Sequence, residues 1–443
     1  MAIIEVGGSA VGIRNDINAL SPIHAPLSVK PKIMRVMENP PSITAGLLAS
    51  SSITHTAVIT GSSISGTTLT VGAVSSGTIY VGDTVAGALS NTVIVKQLTG
   101  TVGGAGTYQV NYSQTAATCT STSQTATPYT GAASTAWKIT APNPGIGTNG
   151  LIVPRKADNS DNVGANIVWE IRIAAPVLAF GMTAFNSQFD VFCDGELVQL
   201  AAFSTGSSGS RYEVRLDWSS DADPWRERHY RISGINMLFS SVAVPTVGTV
   251  SYPSDRSKRK LCYVFGDSYV AGVGARSVAR TCMAVMAEEL SMDYYADGIG
   301  SMGWNSTGSN LPTTRVANVL ALMNRQPDLI VSAFGYNDAG GNMTTLAANY
   351  AAWVAAVRAA WPDVEIITLG PWTPTGPTTN LTTVKTTLFT QADVLSVLTG
   401  DIGSVVTLPN SYVMTSSDNV HPTPDIGSEF IGRRVKPIVS ALL

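Results

Sequence analysis

The sequence predicts a multidomain protein in which a C-terminal α/β domain on a parallel sheet follows two stretches of all-β structure. Three observations predict this. From Lys260 onward, short apolar runs alternate with helical patterns of about 12–18 residues, the rhythm of βαβ units. Between residues 138 and 255, short alternating runs follow one another without helices. Between Pro40 and Trp137 only Asp83 and Lys96 are charged, and the rest is rich in Ser, Thr, Gly, Ala and Val.

The elements are justified in chain order. Residues 1–42 read as an N-terminal arm, with turn signals at Pro22, Pro26, Pro31 and Pro40–Pro41. Residues 43–137 read as a small β-module. Thr68–Val71, Thr78–Val85, Thr92–Leu98 and Thr107–Tyr112 alternate between Gly and Ser punctuation. Abundant β-branched residues favour strands over disorder, which needs high net charge and few apolar residues. Residues 138–258 read as a β-sandwich or jelly roll. Its strands are Ile167–Ile173, Phe189–Cys193, Glu196–Ala202, Arg211–Trp218, Glu227–Ile232 and Val242–Val250, with a hairpin turn at Asp194–Gly195. Trp225, Arg226, Arg228 and His229 fit either a ligand face or a strand packed against its neighbours.

Residues 259–443 form the α/β domain. Strands are expected at Leu261–Phe265, Asp293–Ala296, Leu329–Phe334, Val364–Leu369 and Val405–Leu408. Helices are expected at Ser277–Leu290, Leu311–Asn324, Thr344–Trp361, Thr382–Val397 and Gly427–Leu442.

Composition narrows the function classes. The 443 residues include 27 basic and 30 acidic ones, a net charge of −3, so nucleic acid is not an expected partner. Cys119, Cys193, Cys262 and Cys282 show no CxxC spacing and no Cys/His cluster, so no metal and no cofactor are expected. No run of 18 apolar residues exists, so no membrane insertion is expected. MAIIEVGGSAVGIRNDINAL lacks a basic n-region and an apolar h-region, so the expectation is a chain without a signal peptide. With four histidines, proton transfer by imidazole falls to His24, His55, His229 or His421.

Ligand sites in open parallel sheets lie beyond the C-terminal strand ends. Three polar clusters lie there: Gly266-Asp267-Ser268-Tyr269, Phe334-Gly335-Tyr336-Asn337-Asp338 and Asp418-Asn419-Val420-His421-Pro422. A serine hydroxyl needs a base to become a nucleophile, and His421 can serve. Asp418, three residues earlier, can hold the imidazole tautomer and stabilise the imidazolium. An ester oxyanion needs fixed donors. Asn337 supplies a side-chain N–H, Ser268 a backbone N–H, and the Gly-rich loop Asp297–Trp304 a third. Tyr269, Trp304 and Trp372 are candidates to line an acyl pocket, or are packing residues.

These four blocks, GDSY, the Gly-rich loop, GYND and DNVH, resemble in order and spacing those of the SGNH hydrolases, also called the GDSL esterase family, over residues 261–443. The resemblance implies a three-layer, flavodoxin-like fold and ester hydrolysis, often of acetyl groups on carbohydrate. It makes Ser268 the nucleophile, His421 the base, Asp418 its partner and Asn337 an oxyanion donor. Family members usually place Gly at the loop's oxyanion position, whereas this chain reads GIGSMG. The donor is then the backbone N–H of Ser301, or of Gly300 in the other register, and φ > 0 would be strained for Ser.

Residues 55–118, with GTVGGAGTYQVNYSQT, resemble a β-rich module of bacteriophage tail and fibre proteins. This implies a virion tail protein released by lysis, a homotrimer, deacetylating a bacterial surface polysaccharide. The alternatives are a non-catalytic glycan-binding tail protein on a hydrolase scaffold, and a general lipase or acylesterase.

Overall fold

The computed structural model describes residues 37–47, 54–79, 83–101, 103–125, 127–129, 137–146, 152–158, 160, 165–183, 188–205, 211–235, 237–244, 248–254, 259–373, 376–404, 416, 418 and 420–443. The arm expected at 1–42 and the strand expected at Val405–Leu408 lie largely or wholly outside them. The chain divides into two compact units, one holding Met37–Lys258 and the other Arg259–Leu443.

In the first unit, two antiparallel sheets share one core. One sheet runs in the order Ser42–Leu47, Arg211–Asp217, Val177–Thr183, Leu238–Val244, Ile152–Val153, Gly145–Ile146. The other runs Glu196–Leu197, Gln188–Cys193, Glu227–Ile235, Asn166–Ala174, Thr249–Ser251. Alternate residues point inward, so Ile167, Trp169, Ile171 and Ile173 of one sheet meet Leu178, Phe180, Met182 and Val214 of the other. The turn at Asp194–Gly195 has φ of 51° and 87°, both left-handed as a type I′ hairpin requires. It pairs Cys193 with Glu196.

The Arg228 and His229 cluster belongs to this scaffold. Arg228 is fully buried, its guanidinium 4.2 Å from the Trp218 ring and 3.0 Å from Asp221 Oδ2. His229 Nε2 is 3.1 Å from Glu170, which also accepts a bond from Lys138 Nζ at 2.8 Å. Charges out of water are retained where they are paired in this way.

The β-module is a third sheet, built on two long strands, Thr54–Val71 and Gly106–Thr125. Ala73–Ser76 joins the first, and Thr84–Ala86 and Ile94–Gly100 join the second. Ile59, Ile64, Leu69, Tyr108 and Val110 form its core. The sequence suggests several short strands because Gly61 and Gly66, at φ 60° and 63°, interrupt the alternation. In the structure they sit at register shifts, and the strand continues through them.

The expected domain boundaries at 43 and 137 are corrected. Ser42–Leu47 pairs with Arg211–Asp217, and Thr127–Tyr129 pairs with Leu238–Val244. The module is thus inserted into the sandwich, not placed before it. Alternation along the chain reveals a strand but not the distant partner that decides its sheet.

The second unit holds five parallel strands: β1 Leu261–Gly266, β2 Asp293–Gly298, β3 Leu329–Ala333, β4 Glu365–Leu369 and β5 Leu398–Gly400. Their order is β2-β1-β3-β4-β5, the flavodoxin-type arrangement, with its switch point beside β1. Among the described residues, six α-helices accompany them: α1 Ser268–Ala271, α2 Cys282–Glu289, α3 Pro312–Asn318, α4 Met343–Ala360, α5 Thr379–Val394 and α6 Ile426–Leu442. Leu261, Tyr263 and Phe265 of β1 pack with Val316, Trp353, Val354 and Leu388 from α3, α4 and α5. Helices α2 and α6 pack on each other, so closely that a Cβ on Gly432 would stand 2.4 Å from the Cys282 carbonyl oxygen.

Two expected helices are shorter than their patterns. Thr281 caps α2 through its side chain, leaving Val278–Arg280 as a separate 3₁₀ turn. α3 ends at Asn318, and Leu320–Leu322 forms another 3₁₀ turn. β5 is not apparent in the sequence, because three residues directly after a helix offer too little alternation.

Candidate active site

The nucleophile candidate stands at a sharp strand-to-helix turn. A Cβ on Gly266, the last residue of β1, would lie 2.3 Å from Val270 Cγ2, so only glycine lets α1 start here. Asp267 caps the helix, its Oδ1 accepting the Tyr269 N–H at 3.0 Å. Ser268 opens α1, and its Oγ lies 2.8 Å from His421 Nε2. His421 Nδ1 lies 2.6 Å from Asp418 Oδ2. A ring donating Nδ1–H to a carboxylate presents an unprotonated Nε2 to the serine hydroxyl.

Asp418 is held from several sides. Its Oδ1 accepts from Ser416 Oγ at 2.6 Å, Val420 N at 2.9 Å and His421 N at 3.0 Å. The His421 hydrogen bond first, then that from Ser416, holds the carboxyl well below its usual range despite its exposure. Burial acts oppositely on Asp267 behind the serine, pushing its carboxyl up to about 7.

The histidine segment is braced by its neighbours. Tyr269 Oη donates to the Val420 carbonyl at 2.9 Å, and its ring centroid lies 5.3 Å from that of His421 and 4.4 Å from that of Trp372. The loop after α1 passes close by: a Cβ on Gly274, at φ 81°, would stand 2.5 Å from His421 Cβ. Arg276 Nε then donates to Asp425 Oδ2 at 2.7 Å.

Asn337 lies in the 3₁₀ turn Tyr336–Asp338 after β3. Its Nδ2 donates one hydrogen to the Met302 carbonyl at 2.8 Å, which leaves the second N–H for a ligand. Asp338 fastens the Gly-rich loop, accepting from Trp304 N and Asn305 N at 2.8 Å each and from Asn305 Nδ2 at 3.0 Å. Of the two candidate donors in this loop, Ser301 is the left-handed one, at φ 62°. For a non-glycine residue this costs on the order of 1 kcal/mol. The N–H groups of Ser268 and Ser301 have no acceptor among the described residues.

Of the two readings of the aromatic candidates, their burial fits packing. Trp304 is fully buried, 4.2 Å from Phe334 and packed against Tyr350 and Trp353, so it belongs to the core and not to an acyl pocket. Trp372 and Tyr269 are almost fully buried and pack beside the imidazole. Aromatic residues just past strand ends cap the core before they can meet a ligand.

Gly274 and Ser416 escaped the sequence reading, and Asp338, named there within GYND, was given no role although it adjoins Asn337. His24 lies outside the described residues, as does the side chain of His55. Among the described residues, no group of three or more His, Cys, Asp or Glu could hold a metal ion, and no helix is long and apolar enough to cross a membrane.

The fold has counterparts among known proteins. Among solved structures, a salicylyl-acyltransferase from a tetracycline biosynthetic pathway is similar, with a TM-score of 0.55 and 16% identity over 72% of this chain and 97% of that one. An acetyl xylan esterase from the rumen bacterium Butyrivibrio proteoclasticus gives 0.51 and 13% over 72% and 98%. An active-site mutant of a family two carbohydrate esterase from Clostridium thermocellum gives 0.51 and 14% over 69% and 98%. At these identities the likeness is one of fold. No curated protein matches the chain. Residues 264–425 match the model of the GDSL-like Lipase/Acylhydrolase family, and the C-terminal unit therefore carries a domain of that family.

Proposed function

We propose that the protein is a serine esterase that removes O-acetyl groups from a bacterial surface polysaccharide. The observation that carries this is the unbroken chain Ser268–His421–Asp418, at 2.8 and 2.6 Å. Ser268 Oγ attacks the acetyl carbonyl carbon while His421 Nε2 takes its proton. Asp418, ionised throughout, stabilises the imidazolium. The oxyanion meets the N–H groups of Ser268 and Ser301 and the free hydrogen of Asn337 Nδ2. Collapse leaves acetyl-Ser268, and His421 returns the proton to the departing sugar oxygen. Water, deprotonated by His421, then attacks the acetyl carbonyl; acetate leaves, and His421 returns the proton to Ser268 Oγ. No step calls on a metal or cofactor.

The acetyl preference draws on the sealed surroundings of the nucleophile. Tyr269, Met302, Trp304 and Trp372 are buried in packing, and a long acyl chain needs open apolar wall. The carbohydrate preference draws on the similar folds, two of which are carbohydrate esterases. The charge-poor β-module motivates the wider proposal of a homotrimeric phage tail component.

Wild type and Ser268→Ala are compared on p-nitrophenyl acetate, butyrate and octanoate. The expected result is hydrolysis of acetate first, lost in the variant. No hydrolysis by wild type leaves a glycan-binding scaffold. A preference for octanoate makes the protein a lipase. Light scattering of the full chain tests the trimer.

A further inference from the structure

A hollow of about 220 Å³ lies beside the proposed active site, at the C-terminal edge of β4 and β5. Its wall includes Pro371, Pro377, Leu381, Thr382, Lys385 and Asp401. Pro371 follows β4 and Asp401 follows β5, so the hollow opens on the same sheet edge as Ser268. β3 and β4 intervene between β1 and β5, and at about 4.8 Å per strand spacing the hollow lies roughly 10–15 Å from the nucleophile. The wall also touches the catalytic furniture. A Cβ on Gly335, which opens the Asn337 turn, would stand 3.2 Å from Pro371 Cβ. Trp372, next in sequence, packs on Tyr269.

We propose that this hollow is a glycan subsite that takes one uncharged pyranose unit of the acetylated chain, a few units from the scissile ester; it rests on the esterase reading above. The wall has the two components a pyranose needs. Pro371, Pro377 and Leu381 offer apolar surface to a ring face. Thr382 and Lys385, three residues apart on α5, offer polar atoms to its hydroxyl edge. Lys385 Nζ is 2.9 Å from Asp401 Oδ2, so a donor and an acceptor stand side by side, as vicinal hydroxyls require. The ion pair neutralises the ammonium, which favours a hydroxylated sugar over a carboxylated one. Gly370 builds the site: with no side chain, it lets the Lys385 stem cross the end of β4, where a Cβ would be 3.1 Å from Lys385 Cγ.

The test uses the full chain, with Lys385→Met and Asp401→Asn, singly and together. Values of kcat/KM are measured on p-nitrophenyl acetate and on chemically acetylated xylose and xylotriose. The expected result is that wild type favours the trisaccharide over the monosaccharide about tenfold, and that the variants lose this preference through KM while keeping wild-type activity on p-nitrophenyl acetate. Equal rates of wild type on the two sugars would overturn the subsite. So would variants that retain the preference, or that lose p-nitrophenyl acetate hydrolysis in parallel. Failure of wild type on p-nitrophenyl acetate strikes the esterase reading instead, so the two failures are distinct.

Discussion

Replacing Glu429 by Gln should stabilise the C-terminal unit at neutral and alkaline pH and leave it unchanged in mild acid. Glu429 lies in the first turn of α6, with its side chain only 6% exposed. Oε1 meets Arg433 at 2.5 Å, but Oε2 is buried without a hydrogen-bond partner. Burial pushes the carboxyl up from its ordinary 4.5 to about 7; Arg433 opposes this, while Glu289 and Asp425 add to it. At about 1.4 kcal/mol per pH unit, ionising Glu429 in the folded state costs about 3 kcal/mol. Between pH 4.5 and 7 the folded chain binds the proton that the unfolded chain has released. Stability therefore falls as pH rises through this window and stays lower above it. Calorimetric melts of wild type and Glu429→Gln at pH 4 and pH 8 read the difference directly, because all other groups cancel. The two should nearly coincide at pH 4, and the variant should be more stable by up to about 3 kcal/mol at pH 8. Parallel pH dependences, or a variant less stable at pH 8, would refute the reasoning.

Three further outcomes are expected at the site. Gly274→Ala places a Cβ 2.5 Å from His421 Cβ at φ 81°. It should lower kcat on p-nitrophenyl acetate by about 10²-fold, the usual consequence of a misplacement near 1 Å, with the melting temperature as the control for folding. Tyr269→Phe removes the hydroxyl that holds the Val420 carbonyl at 2.9 Å. It should cost about 1 kcal/mol of stability and lower kcat more than it changes KM, as steady-state kinetics will show. Ser301→Gly relieves the left-handed conformation, while the greater freedom of glycine in the unfolded chain offsets the gain. Stability should stay within about 1 kcal/mol and kcat should be retained, since the donor is the backbone; a tenfold fall in kcat would assign a role to the side chain.

The α/β half was the most legible part of the chain. β1, β3 and β4 are nearly continuous apolar runs, and the candidate site residues sit in short local motifs. Ser268, Asn337, Asp418 and His421 could be named because each motif is local, and the structure brings them to one sheet edge. The bracing was harder to read. Gly274 against His421, and Tyr269 against Val420, join segments about 150 residues apart, and only packing reveals them. The burial of Trp304 could not be foreseen for the same reason: an aromatic residue in a Gly-rich loop reads as a ligand wall until its neighbours are known. In the β half, each strand announced itself by alternation, but sheet membership depends on partners far along the chain.

The insertion of the module also sets an order of events as the chain leaves the ribosome. The edge strand Ser42–Leu47 emerges early, yet its partner, Arg211–Asp217, emerges only after the whole module. Thr54–Val71 and Gly106–Thr125 can pair well before that, because their contacts lie within one local stretch. The module then draws the end of the early strand towards the point where the chain re-enters the sandwich at Thr127. This shortens the effective loop that later pairing must close. A module that folds slowly would leave an unpaired apolar strand waiting, a recognised route to aggregation during synthesis. The tight glycine turns and bulges of a nearly uncharged module thus bear on how much of the chain reaches its folded form, although none of them lies in the C-terminal unit.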